Sequence, residues 1–154
     1  MSAINLIKSS PLFYELYDEE IEKIIKDCAV SKYRAGETII KEGESGNELF
    51  VILAGEAETF KLLRDKNFKV GDLKKGDAFG ETALINDPVR ATSVIAVTDC
   101  DLLVIDHETI FGLFKTDTQI FAVIILNLAR MLTARLRASN RAITTMHEKA
   151  KRAA

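Results

Sequence analysis

The chain has 154 residues, which suits one domain that buries about two-thirds of the surface exposed by its unfolded chain. Hydrophobic residues make up 47% of the chain and charged residues 29%, the composition of an ordinary soluble globular protein. The net charge of −2 argues against a general nucleic-acid surface, and the length leaves no room for a second, catalytic domain.

The opening residues have neither the basic start nor the apolar run of a signal peptide. No stretch approaches the about 20 apolar residues that a membrane span needs, so we expect a cytoplasmic protein without membrane contact. The two cysteines, Cys28 and Cys100, lack the spacing of a metal site. They are interpreted as small buried residues in a reducing compartment, and neither a metal nor a cofactor is expected.

Residues 1–30 are predicted to form an N-terminal helical cap. Acidic residues at positions 18–20 suit the first turn of a helix, and Ile21, Ile24 and Ile25 follow on one face. The cap is expected to cover a larger β structure.

Residues 31–106 change to short strand-like runs separated by glycine turns. The predicted strands are Thr38–Ile40, Leu49–Leu53, Ala57–Leu63, Phe68–Leu73, Arg90–Ala96 and Asp101–Ile105. Short strands with such turns predict a mainly β fold, either a small sandwich or a jelly-roll barrel with an apolar interior open at one side.

Residues 79–93 contain the parts of an anion site in compact order. A strand is expected to arrive at Ala78-Phe79, Gly80 then lets the backbone approach a ligand, and a helical turn begins at Glu81 with free N–H groups. Asn86-Asp87-Pro88 ends the turn, and Arg90 is expected to open the next strand with its guanidinium over the same anion. A carboxylate at Glu81 would repel a phosphate, so its expected partner is a sugar hydroxyl. Phosphate and ribose together indicate a nucleotide.

Residues 107–154 are predicted to be helical. A short helix at His107–Phe114 is followed by a long helix from an N-cap at Asp117 to about Met146. At about 1.5 Å per residue the long helix exceeds what a small β-roll can cover, and its apolar stripe is broad. We therefore predict a parallel homodimer through this helix, with a helix folded back on its own domain as the alternative. The basic run at 130–152 is interpreted as a solvated face.

The order Phe-Gly-Glu-x-Ala-Leu, a short insert and Arg-Ala-Thr resembles the phosphate-binding cassette of cyclic nucleotide-binding domains, which occur in kinase regulatory subunits and catabolite-activator-type regulators. The resemblance spans Leu12 to about Ala142 and implies a double-stranded β-helix jelly-roll barrel with an N-terminal helix and a long C-terminal helix. It also implies that Glu81 takes the ribose 2′-hydroxyl and that Arg90 pairs with the cyclic phosphate. The cassette residues expected at the ligand are Phe79, Gly80, Glu81, Thr82, Ala83, Arg90, Ala91 and Thr92.

Two positions depart from the family pattern. Thr82 replaces a usual aliphatic residue, and Pro88 stands one position farther from the arginine than is common. Ala91 stands where cGMP-preferring members tend to carry a threonine, so the resemblance implies cAMP as the ligand and cGMP less so.

The resemblance also implies ligand contacts for residues outside the cassette. Thr59 and Val70 match positions that line the purine or sugar, although plain packing of the β wall would suit them equally. Ser139 and Asn140 fall where dimeric regulators place two polar residues against the adenine, and solvated positions on the helix are the alternative.

Three other functions have less support in the residues. An enzyme with this fold would need clustered His and carboxylate metal ligands on its strands, whereas His107 and His147 lie outside the predicted strands, so no enzyme is expected. A DNA reader would need a recognition helix after the long helix, and none follows, which suggests a small complete protein or a regulator fragment without its DNA-binding domain. A scaffold would gain nothing from Gly80, Glu81 and Arg90 together. We therefore predict a cAMP sensor that passes its ligand state to an unidentified effector protein.

Overall fold

The computed structural model of the chain describes residues 2–85 and 87–154. Its helices are α1 (Ala3–Lys8), α2 (Asp18–Ile25), α3 (His107–Thr116) and α4 (Thr118–Ala153), with 3₁₀ helices at Pro11–Phe13 and Glu81–Ile85. Its strands are β1 (Ala29–Tyr33), β2 (Thr38–Ile40), β3 (Glu48–Ala54), β4 (Ala57–Leu63), β5 (Lys66–Leu73), β6 (Ala78–Phe79), β7 (Ser93–Ala96) and β8 (Cys100–Asp106).

The strands form two four-stranded antiparallel sheets, in the orders β1-β8-β3-β6 and β2-β7-β4-β5. The mainly β, jelly-roll-like fold with flanking helices is therefore confirmed. The predicted barrel is corrected to a pair of sheets, because β1, β6, β2 and β5 are edge strands in the described part of the chain.

Strand β3 separates two hydrophobic cores. Successive side chains of a strand point to opposite faces, so Leu49, Val51 and Leu53 pack toward the helices while Phe50 and Ile52 pack toward the second sheet. Burial on both faces accounts for the unbroken apolar run in this strand. The second core ends at the candidate site, where the rings of Phe50 and Phe79 stack with centroids 5.2 Å apart.

Helix α4 is fixed on the domain by its first half. Ile120, Ile124 and Leu128 lie in the core beside the sheet. Next to them, the buried Asn127 donates from Nδ2 to the backbone oxygens of Leu12, at 3.0 Å, and Tyr14, at 2.7 Å. These contacts place the following turns of α4 over the open side of the sheets.

The first half of α4 corrects one expectation about the membrane. By length and composition alone the helix is long and apolar enough to cross one, whereas the sequence was expected to contain no such stretch. The apolar face has another use in this fold, because the residues at positions 120, 124 and 128 pack against the core.

Several predicted boundaries are also corrected. α4 continues to Ala153, beyond the predicted end near Met146, and β1, which was not predicted, begins at Ala29 inside the residues predicted as the helical cap. Asp117 precedes α4 without capping it through its side chain; its carboxylate lies 3.6 Å from Lys23 Nζ instead. The predicted end of the turn at Asn86 lies outside the described residues.

Candidate functional site

A cavity of about 590 Å³ opens between the β2-β7-β4-β5 sheet, the 3₁₀ helix after β6 and the middle of α4. Most of the residues predicted from the sequence line it. They are Thr59, Val70, Phe79, Gly80, Glu81, Thr82, Arg90, Ala91, Thr92 and Ser139. The fold thus brings together side chains from the cassette, from the β4–β5 hairpin and from α4.

Gly80 turns the chain from β6 into the 3₁₀ helix. Its φ is +84°, a left-handed conformation that favours glycine, and a Cβ at this position would lie 2.7 Å from the backbone oxygen of Glu48. The 3₁₀ helix begins at the next residue, Glu81, so its first N–H groups have no acceptor within the helix. Ala83 lies in the same helix, and its side chain is outside what the structure describes.

Arg90 is buried at the end of the cavity, with 5% of its surface exposed. Its Nη1 donates to the backbone oxygen of Gly80 at 3.1 Å, and its Nη2 donates to the backbone oxygen and the carboxylate of Glu48 at 3.1 and 3.0 Å. A guanidinium has five N–H donors, so at least two have no protein acceptor among residues 2–85 and 87–154. Because the guanidinium is positively charged and has N–H groups without a protein acceptor, it can bind an anion in the cavity.

The strand predicted to start at Arg90 is corrected, because β7 begins only at Ser93. Val89 forms an isolated antiparallel bridge with Ser45, and Arg90 exchanges backbone hydrogen bonds with the loop between β2 and β3. Arg90 therefore lies in a short segment before β7 that is held by backbone hydrogen bonds to the β2–β3 loop.

The segment after Arg90 is held by an ion pair on the surface. Lys61 Nζ donates to the backbone oxygen of Ala91 at 2.8 Å and to the carboxylate of Glu42 at 2.6 Å. The hydrogen bond from Lys61 lowers the pKa of the Glu42 carboxyl, and a second hydrogen bond from the Leu62 backbone N–H acts in the same direction. This contact links the loop before β3 to the wall of the cavity.

Glu81 faces α4 across the cavity. One of its carboxylate oxygens lies 3.7 Å from Nη1 of Arg135, whose Nη2 donates to the backbone oxygen of Ala78. Arg135 lines the cavity and was not predicted as a site residue. It lies four residues before Ser139, which places both on one face of the helix, and this spacing was the available signal.

The two polar residues predicted on α4 are separated by the structure. Ser139 lines the cavity together with Ala138 and Ala142, whereas Asn140 is exposed and does not line it. Neighbouring residues of a helix point about 100° apart, and Asn140 lies on the side of the helix away from the cavity that Ala138, Ser139 and Ala142 line. The role assigned to Asn140 stays a prediction.

The chemistry of the cavity suits binding of an anion with hydroxyl groups. No group of three or more His, Cys, Asp or Glu that could hold a metal occurs in the described residues. His107 stacks on Phe111 in α3, at 4.3 Å between ring centroids, and His147 is exposed near the end of α4. Burial raises the pKa of the Cys28 thiol to about 11, which keeps it protonated.

The sequence profile described as the cyclic nucleotide-binding domain matches residues 30–117, which include both sheets and the residues around Arg90. The chain belongs to the cyclic nucleotide-binding domain family. The match confirms the family predicted from the cassette.

Members of two kinase groups are similar to this cyclic nucleotide-binding domain. The cAMP-dependent protein kinase regulatory subunit of Pyricularia oryzae is 40% identical over 95 residues, covering 62% of this chain and 24% of that protein. Human cGMP-dependent protein kinase 2 is 37% identical over 108 residues, covering 68% of this chain and 14% of that protein. The chain thus spans about a quarter or less of the length of these curated relatives.

A solved cyclic nucleotide-binding domain from Methylobacillus flagellatus has the same fold. It superposes with a TM-score of 0.83 at 22% identity, covering 93% of this chain and 81% of the other. The likeness extends over nearly the whole chain and therefore includes most of the flanking helices.

Proposed function

We propose that this domain binds a cyclic nucleotide, with cAMP preferred over cGMP, and that it acts as a cytoplasmic sensor module. The observation that carries the proposal is the buried Arg90 guanidinium at the end of a cavity whose wall also contains Gly80 and Glu81. The cavity of about 590 Å³ lies within the usual range of small-molecule sites, about 300 to 1,000 Å³.

The cyclic phosphate would lie between Arg90 and the first N–H groups of the 3₁₀ helix. These donors are fixed by the fold and the guanidinium has free N–H groups, so a single anion is held without rearrangement. The Glu81 carboxylate would accept a hydrogen bond from the ribose 2′-hydroxyl. The purine would then lie between Val70 and the face of α4 that carries Ser139.

The preference for cAMP rests on Ala91. This residue lines the cavity directly after the arginine, and its methyl group offers no hydroxyl to the amino group of a guanine. The similar proteins include a cAMP-dependent protein kinase regulatory subunit and a cGMP-dependent protein kinase, so the choice between the two nucleotides is part of the proposal.

Ligand state would reach a partner through α4. The ion pair between Glu81 and Arg135 joins the cassette to this helix, and a ribose hydroxyl at Glu81 would compete with that pair. A ligand that changes this contact shifts the population of α4 positions by as much as its affinities for them differ.

From Ala129 onward, the sequence of α4 favours a homodimer. Its apolar residues are separated by three, four, seven and three positions, which fits the a and d positions of a parallel two-stranded coiled coil with the polar Ser139 at one of them. The residues of this seam are Ala129, Leu132, Leu136, Ile143 and Met146. Three of them, Leu136, Ile143 and Met146, are more than half exposed in the single chain.

Sedimentation equilibrium tests the dimer. We expect the parent chain to sediment as a dimer and Leu136→Glu as a monomer, because the substitution places two like charges face to face in the seam. Ala134→Glu, on the opposite face of the helix, is the control and should remain dimeric. A monomeric parent would favour the helix folded back on its own domain.

A thermal-shift comparison of cAMP, cGMP, AMP and ATP tests the proposed ligand. A ligand at 100-fold its dissociation constant adds about 2.7 kcal/mol to the free energy of unfolding, so cAMP should raise the melting temperature most and cGMP less. AMP and ATP should have little effect, because the site holds one ring-closed phosphate. If neither cyclic nucleotide shifts the melt more than AMP, a scaffold of this fold without nucleotide binding is the better description.

A further inference from the structure

The loop between β2 and β3 surrounds the backbone of Arg90. The Gly43 N–H donates to the Arg90 backbone oxygen at 2.9 Å, and the Arg90 N–H donates to the Glu44 backbone oxygen at 2.9 Å. Gly46 N–H donates to the Pro88 backbone oxygen at 2.8 Å. These bonds fix where the arginine leaves the chain, more than forty residues away in sequence from the loop that holds it.

Gly46 leaves the space that the guanidinium occupies. A Cβ at Gly46 would lie 2.5 Å from both Nε and Nη2 of Arg90, closer than real Cβ atoms approach other heavy atoms. The backbone of Gly46 does not have a positive φ, so a side chain there would meet no conformational strain of its own. The close approach to Arg90 is therefore the physical reason for a glycine at this position.

Glu48 is the counter-ion of the Arg90 guanidinium. Its backbone oxygen and its carboxylate both accept from Nη2, and the carboxylate also accepts from the Asn47 N–H at 3.2 Å. A guanidinium with 5% exposure needs such a counter-ion, because an unpaired buried charge is strongly destabilising.

The direction of the guanidinium matters because Arg90 lines two cavities. Besides the nucleotide cavity, a cleft of about 310 Å³ lies between β1, β2 and the loop, and Gly46, Glu48 and Arg90 all line it. A longer residue at position 46 would occupy the place where the guanidinium now lies. The charge would then have to leave its present position beside the nucleotide cavity.

We infer that Gly46 and Glu48 are positioning residues for the phosphate contact. They hold the guanidinium of Arg90 at the nucleotide cavity before any ligand arrives, which reduces the ordering needed on binding. This inference rests on the proposed function for its effect on affinity, although the contacts themselves are present without a ligand.

The experiment compares Gly46→Ala with Gly112→Ala. Gly112 lies in α3, has no positive φ and has open space around its Cβ position, so its substitution is a matched control. Calorimetric titration with cAMP should show at least tenfold weaker binding for Gly46→Ala and unchanged binding for Gly112→Ala. Equal affinity of Gly46→Ala and the parent would overturn the inference.

A double-mutant cycle on the unliganded protein tests the same contact independently of any ligand. Gly46→Ala should lower the melting temperature in the parent and leave it unchanged in an Arg90→Ala background, where the guanidinium is gone. An equal drop in both backgrounds would mean that Gly46 acts through the backbone, and the inference would be wrong. If the parent binds neither cAMP nor cGMP, the proposed function fails while this cycle still decides the role of Gly46.

Glu48→Gln provides a second variant should Gly46→Ala fail to fold. It keeps an oxygen acceptor for Nη2, so the guanidinium stays in position, and it removes the negative charge that competes with a phosphate for Arg90. Binding of cAMP should become several-fold tighter, whereas binding of adenosine, which has no phosphate, should not change. Unchanged or weaker cAMP binding, or an equal change for adenosine, would contradict the role of Glu48.

Discussion

The cavity proposed for the nucleotide has two ends, a proposed phosphate end and a wall formed by α4, and they are built in different ways. At the phosphate end, Arg90 is 5% exposed and is held by backbone bonds to the β2–β3 loop and by hydrogen bonds to Gly80 and Glu48. At the opposite wall, Ser139 lies on a helix whose surface from Leu136 onward is exposed. One end is a packed part of the fold, and the other depends on where α4 docks.

This difference indicates which part of the site can move when a ligand binds. Moving Arg90 would break a buried ion pair and several hydrogen bonds, whereas moving the end of α4 would break few buried contacts. The phosphate end should therefore determine affinity, and the helix should carry the response to a partner.

The largest expected effect is at Arg90. Arg90→Ala should weaken cAMP binding by about 3–5 kcal/mol, or about two to four decades in affinity, because the buried phosphate loses its counter-charge. Isothermal titration calorimetry measures this loss. Binding of cAMP by the variant as tight as by the parent would contradict the placement of the phosphate.

The second-largest expected effect is at Glu81, and it can be tested by comparing cAMP with a ligand that lacks the 2′-hydroxyl. Glu81→Ala should weaken cAMP binding by about 1.5–3 kcal/mol, roughly tenfold to a hundredfold, because the 2′-hydroxyl loses a charged acceptor. In competition titrations, 2′-deoxy-cAMP should bind the parent and the variant with similar affinity. A full loss of affinity for the deoxy ligand as well would assign Glu81 to another contact, such as its pair with Arg135.

The helix wall should respond more weakly. Ser139→Ala should weaken cAMP binding by about 0.5–1.5 kcal/mol, roughly twofold to tenfold, as expected for loss of one neutral hydrogen bond. Asn140→Ala is the matched control on the neighbouring exposed position and should have no effect at a site built from a single chain. An equal loss for Asn140→Ala would indicate that this side chain reaches a nucleotide through a second copy or after movement of α4.

The smallest expected effect is the pH dependence of the stabilisation by the ion pair between Lys61 and Glu42. The hydrogen bond from Lys61 lowers the pKa of Glu42 in the folded state, so its stabilisation is present above the ordinary value of 4.5. It is lost as the pH falls below that value through the lowered pKa. The melting temperature of the parent should therefore exceed that of Glu42→Gln at pH 7, and the difference should shrink as the pH falls below 4.5. A constant difference over this range would show that the carboxylate charge does not stabilise the loop.

The same comparison explains what could be predicted from the sequence. The phosphate end is encoded locally, because Gly80, Glu81 and Arg90 lie within eleven residues and their spacing identified both the family and the cavity wall. The β strands were recognised from their apolar runs and glycine turns, except β1, which contains polar and charged residues at an edge of its sheet.

What could not be predicted depends on contacts between distant segments. Arg90 forms backbone hydrogen bonds with the β2–β3 loop, so β7 begins at Ser93 and not at Arg90 as predicted. A local sequence pattern does not reveal hydrogen bonds between residues that lie more than forty positions apart. Arg135 and the different directions of Ser139 and Asn140 depend on the rotation of α4 about its axis. That rotation is fixed by buried contacts such as those of Asn127 with the N-terminal segment.

A crystal structure of the chain with bound cAMP tests the central claim most directly. We predict phosphate oxygens within about 3 Å of the Arg90 guanidinium and the ribose 2′-hydroxyl at hydrogen-bond distance from the Glu81 carboxylate. A nucleotide bound elsewhere, or a cavity without nucleotide in crystals grown at saturating cAMP, would contradict the account.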